Sequence, residues 1–310
     1  MKKAMKSLAL VLTASAMLCT AGCINPAFVF DHADQYTAGD FSTDSAVKEL
    51  DIDWTAGTVN VSHHNQPDIT VTETCNVPLK DDLKVQTWLD GSTLHIRYCK
   101  SGINFNLKDA RKVLEVRLPE GMELETMNCD CTSAETSLAD ISAKDFRANV
   151  TSGALQLSGC SADSFRISST SGDITVDQKG KSQSLKAGST SGKIRITAET
   201  VKDVSVNSTS GTTDISTQQS DSVSVTSTSG AETLHLKTMP ASVDVSATSG
   251  NISLFVPKNA DFKAAVEATS GKFDSDIALK KDGNQYTAGS GTNQLKITTT
   301  SGNITLKAED

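Results

Sequence analysis

A tripeptide, Thr-Ser-Gly, returns along this chain at a near-constant interval. Its glycines are Gly153, Gly172, Gly192, Gly211, Gly230, Gly250, Gly271 and Gly302, separated by 19, 20, 19, 19, 20, 21 and 31 residues. A variant copy, Thr132-Ser133-Ala134, lies 19 residues before the first. Repetition in register at this period restricts the fold to a stack of similar short units.

Each unit carries the same pattern around its glycine. Seven residues before it stand apolar side chains such as Phe146, Phe165, Leu185 and Val204; five before it stand Ala148, Ile167, Ala187 and Val206. Three before it come small residues, Ser169, Ser189, Ser208 and Ser227 among them. Beyond the glycine stand pairs such as Ile174/Val176, Ile194/Ile196 and Ile304/Leu306, with polar residues between. Alternation on both sides is the mark of strands with one buried face. The glycine falls where the chain must turn, and a residue without Cβ takes positive φ freely. A unit this short cannot bury its apolar side alone, whereas stacked units share a continuous core. The expectation is an all-β chain forming a single β-solenoid, parallel β-helix-like, built from Thr-Ser-Gly repeats of about 19–20 residues and capped at both ends. The inward serines are expected to form a hydrogen-bonded ladder from coil to coil.

Residues 1–22 read as an export signal: Lys2, Lys3 and Lys6 precede the short apolar stretch Ser7 to Leu18. The run Leu18-Cys19-Thr20-Ala21-Gly22-Cys23 resembles a lipoprotein signal, which makes Cys23 the lipid-bearing first residue of the mature chain. Thr20 stands where an apolar residue is usual, and the alternative is an ordinary secretion signal beside a stray cysteine. Residues 23–47 are polar and weakly patterned and are read as a tether, with Phe28 to Phe30 packing as a cap as the alternative. The solenoid domain is expected over 48–310. Leu50, Ile52, Trp54, Thr55-Ala56-Gly57, Val59 and Val61 reproduce the repeat spacing around a ninth corner glycine, Gly57.

Ala134 lies 77 residues after Gly57, about four coils' worth of irregular strands. Residues 48–120 are accordingly expected to be irregular N-terminal coils and 121–310 the regular repeats. Near the other end, Lys280 to Asn284 reads as a loop in the penultimate coil, and Leu295 to Leu306 as the last unit.

Chemistry-bearing constellations are scarce. Outside the signal the cysteines are Cys23, Cys75, Cys99, Cys129, Cys131 and Cys160, with no Cys-x-x-Cys pair. Cys75 and Cys99 are the candidate disulfide. Cys129 and Cys131, two apart on one strand, are read as buried thiols because their spacing is at the far limit for a bridge. The pair His63-His64 near Asp68 is a solvated turn rather than a metal site, and no metal or cofactor is expected. The run Gly188 to Lys193 is one residue short of a phosphate loop, and the repeat explains it. No Gly-x-Ser-x-Gly elbow occurs, and the carboxylates Asp274 and Asp276 lack a wider cluster. The chain is read as non-enzymatic. Without the signal it carries 26 basic and 37 acidic residues, net −11, which argues against a nucleic-acid partner.

The strand-Gly-strand over Leu50–Val61, the Leu118-Pro119-Glu120-Gly121 turn, and repeats such as Ser171-Gly172-Asp173-Ile174 and Ser301-Gly302-Asn303-Ile304 resemble the DUF4097 β-strand-repeat family, which includes LiaG-like proteins. The resemblance covers roughly 48 to 310. It implies a candidate adhesin and supplies no catalytic motif. The expected role is a lipoprotein on the outer face of a bacterial cell membrane, anchored through its lipid and binding a cell-wall glycan or surface protein. The alternatives are a carbohydrate-active enzyme on a β-helix, or an accessory protein of an envelope-stress response.

Overall fold

The computed structural model describes residues 28–103 and 110–309; the expected export signal and the expected lipidation site Cys23 lie outside the described residues. Twenty-two strands join in one continuous sheet that winds into coils, as the repeat predicts. Each coil is named here by its corner residue. Strand Ile174–Ser191 leaves the Gly172 corner, bends near Lys181, and runs to the Gly192 corner; strands Ile194–Ser210 and Thr213–Ser229 repeat the path. Pairing between them is parallel and in repeat register: Leu185 faces Val204 and Val204 faces Val223, while Ile174 faces Ile194. The alternating residues predicted to face inward are the core, and Phe146, Phe165, Leu185, Val204 and Val223 are at most 1% exposed.

All nine predicted corner glycines sit at corners, but for a further reason. A Cβ on Gly211 would overlap the carbonyl oxygen of Gly192 and stand 2.9 Å from its carbonyl carbon. The same collision with the neighbouring coil recurs at every Thr-Ser-Gly corner, including Gly172, whose φ lies outside the left-handed range. Close stacking of backbones therefore demands glycine even where the dihedral does not.

Coil order in space departs from coil order in sequence at both ends. The Gly57 strand, Glu49–His64, is not terminal. Thr93–Arg97 and Lys112–Pro119 pair parallel to its two limbs and form the outermost coil, with the Ala134 coil on the other side. The irregular segment thus supplies one coil, not several. Its remaining strands, Ile69–Cys75 and Gln86–Asp90, run antiparallel and cover the edges of that coil. Thr37–Ala38 and Phe41–Thr43 add a further antiparallel layer, and Phe28 bridges to Ile103. From Phe28 onward the predicted tether is therefore part of the cap.

At the opposite end, the last repeat is not the last coil. Asn293–Ser301 and Ile304–Glu309 insert between the Gly250 and Gly271 coils. The outer limb Phe262–Ser270 is covered by the antiparallel hairpin of Gln285–Ala288 and Lys280–Asp282, which is what the predicted loop forms. Asp261 fastens the end of this insertion, accepting from the Ser290 hydroxyl and the Thr292 amide; these bonds hold its carboxyl down at about 2. Antiparallel covers remove the open edges through which parallel stacks self-associate.

The interior serine ladder does not form. Ser189, Ser208 and Ser227 have no hydrogen-bond partner; Ser169 instead accepts from the Gly172 amide at 2.8 Å. Equivalent hydroxyls do bond across coils elsewhere, Ser161 to Ser142 at 3.2 Å and Ser184 to Ser164 at 3.3 Å, but not in this interior row. Cross-coil side-chain bonds run along the outside instead.

Ionisable groups are buried at two places in the stack. Lys112 plugs the first corner interior, 2.5 Å from Glu73 and 4.0 Å from the Tyr98 ring centroid, with a bond to the Leu83 carbonyl at 2.8 Å. Trp54 closes the same space, edge-on to Tyr98 at 4.9 Å. Glu232 occupies an inward position that is isoleucine in other coils. It is fully buried, faces the Thr213 and Ser227 hydroxyls without a bond of ordinary length, and its pKa is raised by burial.

Candidate functional site

In ten coils, from Thr55 to Thr300, the residue two before the corner is threonine, even where the serine or glycine of the tripeptide has become alanine. Thr132, Thr151, Thr170, Thr190, Thr209, Thr228 and Thr248 are all exposed. Register pairs on either side, Ser189↔Ser208 and Ser191↔Ser210, set Thr190 beside Thr209 and continue the row. The result is a straight file of hydroxyl and methyl groups repeating about every 4.8 Å.

Beside the N-terminal half of this row lies a polar groove of about 280 Å³, lined by Asp53, Asp130, Asn149 and Ser168 together with Thr132, Thr151 and Thr170. Parallel pairing places these four polar residues on successive coils, with Asp53 opposite Asp130 and Asp130 opposite Asn149. They are linked across coils. The Ser168 hydroxyl donates to Asn149 Oδ1 at 2.6 Å, and Asn149 Nδ2 donates to Asp130 Oδ1 at 2.7 Å. Asn128 Nδ2 bridges to Asp51 Oδ1 at 2.8 Å. Asp51 is also held by His95 at 2.8 Å and by Arg97, and these bonds outweigh burial and keep its carboxyl well below the usual range. Asp53 is the opposite case: burial, with Asp130 and Asp51 adding to it against the pull of Arg97, pushes it up to about 6. The groove therefore presents one carboxylate fixed by amides and one that takes a proton near neutrality.

A second, larger groove of about 460 Å³ follows the other bend, where the inward residues Ala143 and Ala162 are small and Lys48, Lys144 and Lys181 stand over Glu123, Glu125 and Asp163. Its charges are partly neutralised by Lys48–Glu125 and Lys144–Glu125 ion pairs at 3.4 and 3.7 Å.

The residues singled out from sequence fare unevenly. Cys75 and Cys99, the candidate disulfide, are separate free thiols in this structure. Cys75 is half-buried at the end of Ile69–Cys75 with its sulfur directed to Asn76, while Cys99 lies wholly inside the cap. Cys129 and Cys131 are buried thiols as expected, their sulfurs 3.8 Å apart. His64 bonds the Asp68 carbonyl at 2.6 Å, and among the described residues no group of three His, Cys, Asp or Glu is placed to hold a metal ion. Asp276 accepts from the Ala308 amide at 2.9 Å, a fastening for the inserted last coil. Among the described residues no helix is long and apolar enough to cross a membrane. The threonine row was missed as a site, although its signal lay in the tripeptide: threonine is the one member that never varies.

Comparison with known proteins gives a family and a set of folds. Solved structures that resemble the chain include a candidate adhesin from Bacteroides fragilis (14% identity, 87% of this chain and 96% of that one, TM-score 0.40). Another candidate adhesin is from Parabacteroides merdae (12% identity, 87% and 96%, TM-score 0.44). A third, described as a candidate lipid-binding protein, is from Parabacteroides distasonis (12% identity, 88% and 97%, TM-score 0.39). Comparison with proteins of curated function gave no match. The family model "Toastrack DUF4097" matches residues 47–307, nearly the whole coil stack with its Thr-Ser-Gly corners. The chain belongs to the DUF4097, or Toastrack, family.

Proposed function

We propose that this protein is an exported binding scaffold, held at the outer face of the bacterial cell membrane through a lipid on Cys23, whose contact surface is the threonine row and the groove beside it. The observation that carries this reading is the threonine itself, present at one position in ten coils and exposed in nine of them, all but Thr55. Coil stacking explains the glycine and the inward apolar residues; it places no such demand on an outward hydroxyl. A row with a short axial repeat suits an extended partner, a cell-wall glycan strand or a surface-protein segment, bound by many shallow hydrogen bonds.

The test is binding of the purified residues 28–310 to isolated cell-wall glycan and to surface-protein extracts. Replacing Thr190, Thr209 and Thr228 together by valine keeps shape and strand preference while removing three hydroxyls. Binding weakened at least tenfold at unchanged thermal stability supports the row as the contact surface; unchanged binding refutes it. Membrane fractionation of Cys23→Ser tests the anchor, which predicts release of the variant into the soluble fraction.

A second reading, a carbohydrate-active enzyme, is favoured by one feature, the protonatable Asp53 opposite Asp130 in the groove. It predicts new reducing ends from glycan incubated with the protein, abolished in Asp53→Asn.

A further inference from the structure

Cys129 and Cys131 stand on one strand, Glu123–Ala139, with Asp130 between them on the outer face. Both thiols lie within the coil, and their sulfurs share a hydrogen bond at 3.8 Å. They differ in access. Cys131 is 6% exposed and lines the outer groove beside Asp53, Asp130 and Thr132, whereas Cys129 is 1% exposed and lies behind it. The shared hydrogen bond, then burial, keeps Cys129 protonated, and the same bond favours ionisation of Cys131. A buried thiol that borders the groove, backed by a second thiol deeper in the coil, is the arrangement of an attacking and a resolving cysteine.

We propose that Cys129 and Cys131 form a redox-active dithiol, a site of thiol–disulfide exchange with a low-molecular-weight disulfide that enters through the groove. The Cys131 thiolate attacks one sulfur of the external disulfide, forming a mixed disulfide and expelling the other half as a thiolate. Cys129 then loses its proton and attacks the Cys131 sulfur, expelling the second half. Two protein thiols are oxidised to one disulfide, and one external disulfide is reduced to two thiols. An exported protein meets such disulfides, so the setting permits the reaction.

Closure has a mechanical consequence. The sulfurs must approach from 3.8 Å to about 2.0 Å. The strand is paired on both sides, Cys129 with Ile52 and Ala148, Cys131 with Trp54 and Val150. It must contract locally, and Asp130, between the two cysteines, turns with it. Asp130 is the carboxylate that Asn149 and Asn128 hold in the groove, at 2.7 and 3.3 Å. The state of the dithiol is thus read out on the outer face.

The test uses the reduced residues 28–310 equilibrated with oxidised and reduced glutathione at varied ratios, quenched with acid, unfolded, alkylated and digested with trypsin. The fragment 118–144 contains these two cysteines and no other. The expected product is that fragment lighter by two hydrogens and unalkylated, reversible by dithiothreitol, while Cys99 and Cys160 remain fully alkylated. Cys129→Ser should trap glutathione on Cys131, and Cys131→Ser should leave Cys129 unmodified. If Cys129→Ser fails to fold, the wild-type fragment alone decides. A fragment 118–144 alkylated twice at every ratio, a stable glutathione adduct in the wild type, or oxidation only in parallel with Cys99 and Cys160 would each overturn the proposal.

Discussion

The carbonyl oxygen of Gly192 occupies the space that a side chain on Gly211 would need. The relationship recurs at every Thr-Ser-Gly corner, while Ala134, stacked on Gly57, is the one corner that carries a Cβ. Gly211→Ala is expected to lower stability by about 2 kcal/mol or more, since the collision is with backbone and φ is +124°. Gly180→Ala is the matched control: φ is +72°, but nothing lies within 4 Å of the new carbon. It should cost only the dihedral penalty, about 1 kcal/mol. Thermal or denaturant unfolding of both separates crowding from conformation, and equal losses would contradict the stacking account.

Lys112 and Glu73 are buried against each other, with side chains 0% and 5% exposed. Removing one partner strands the other charge. Lys112→Met is expected to destabilise by roughly 3–5 kcal/mol, while the double change with Glu73→Leu should recover most of the loss. A double-mutant cycle in urea measures this; additive losses would show that the pair is uncoupled.

Glu232 predicts a pH dependence of definite sign. Its folded pKa is raised above the ordinary value of 4.5 by burial, so the native state favours the protonated form. The associated stability is fully present below the unfolded value and is lost as pH rises through the folded one. Glu232→Gln should flatten this part of the profile. Glu232→Ile, the residue found at this position in the Gly172 coil, should stabilise at neutral pH by about 1–3 kcal/mol. A wild type whose stability does not decline above pH 4.5 relative to Glu232→Gln would be inconsistent with the buried acid.

The Lys280–Asp282 and Gln285–Ala288 hairpin covers the outer limb Phe262–Ser270. Replacing residues 279–289 by a short Gly-Ser turn should leave that edge unpaired and produce concentration-dependent oligomers in light scattering. A strictly monomeric variant would show that the hairpin does not guard the edge.

Much of the middle of the molecule is legible in the sequence because every interaction there is repeated. Leu185, Val204 and Val223 announce their register through the period alone. The ends are not legible, because their pairing depends on which edge a segment reaches, and Glu49–His64 offers the same apolar pattern to either neighbour. Trp54 stands in repeat register in the sequence, but Lys112 could not be identified as its companion, since a lone lysine before a strand gives no sign of burial. The interior serine ladder does not form at Ser189, Ser208 and Ser227, although Ser161 and Ser142 do bond across coils: position in the repeat shows which way a side chain points, not which neighbour its hydroxyl meets. At the candidate site, Asp53 and Asp130 are 77 residues apart and meet only because the Ala134 coil docks on the Gly57 strand. The threonine row was visible in each tripeptide and overlooked in favour of its glycine.

The displaced final repeat has a consequence for assembly. Residues 293–309 act as a keystone: the Gly271 coil cannot dock on the Gly250 coil directly, because both pair with the segment synthesised after them. A chain emerging from its amino end therefore holds two unfinished surfaces apart until residues 293–309 arrive. Loss of this one repeat would sever the Gly271 coil and its hairpin from the rod together, so the rod's completeness is checked by a segment made after both coils that it joins.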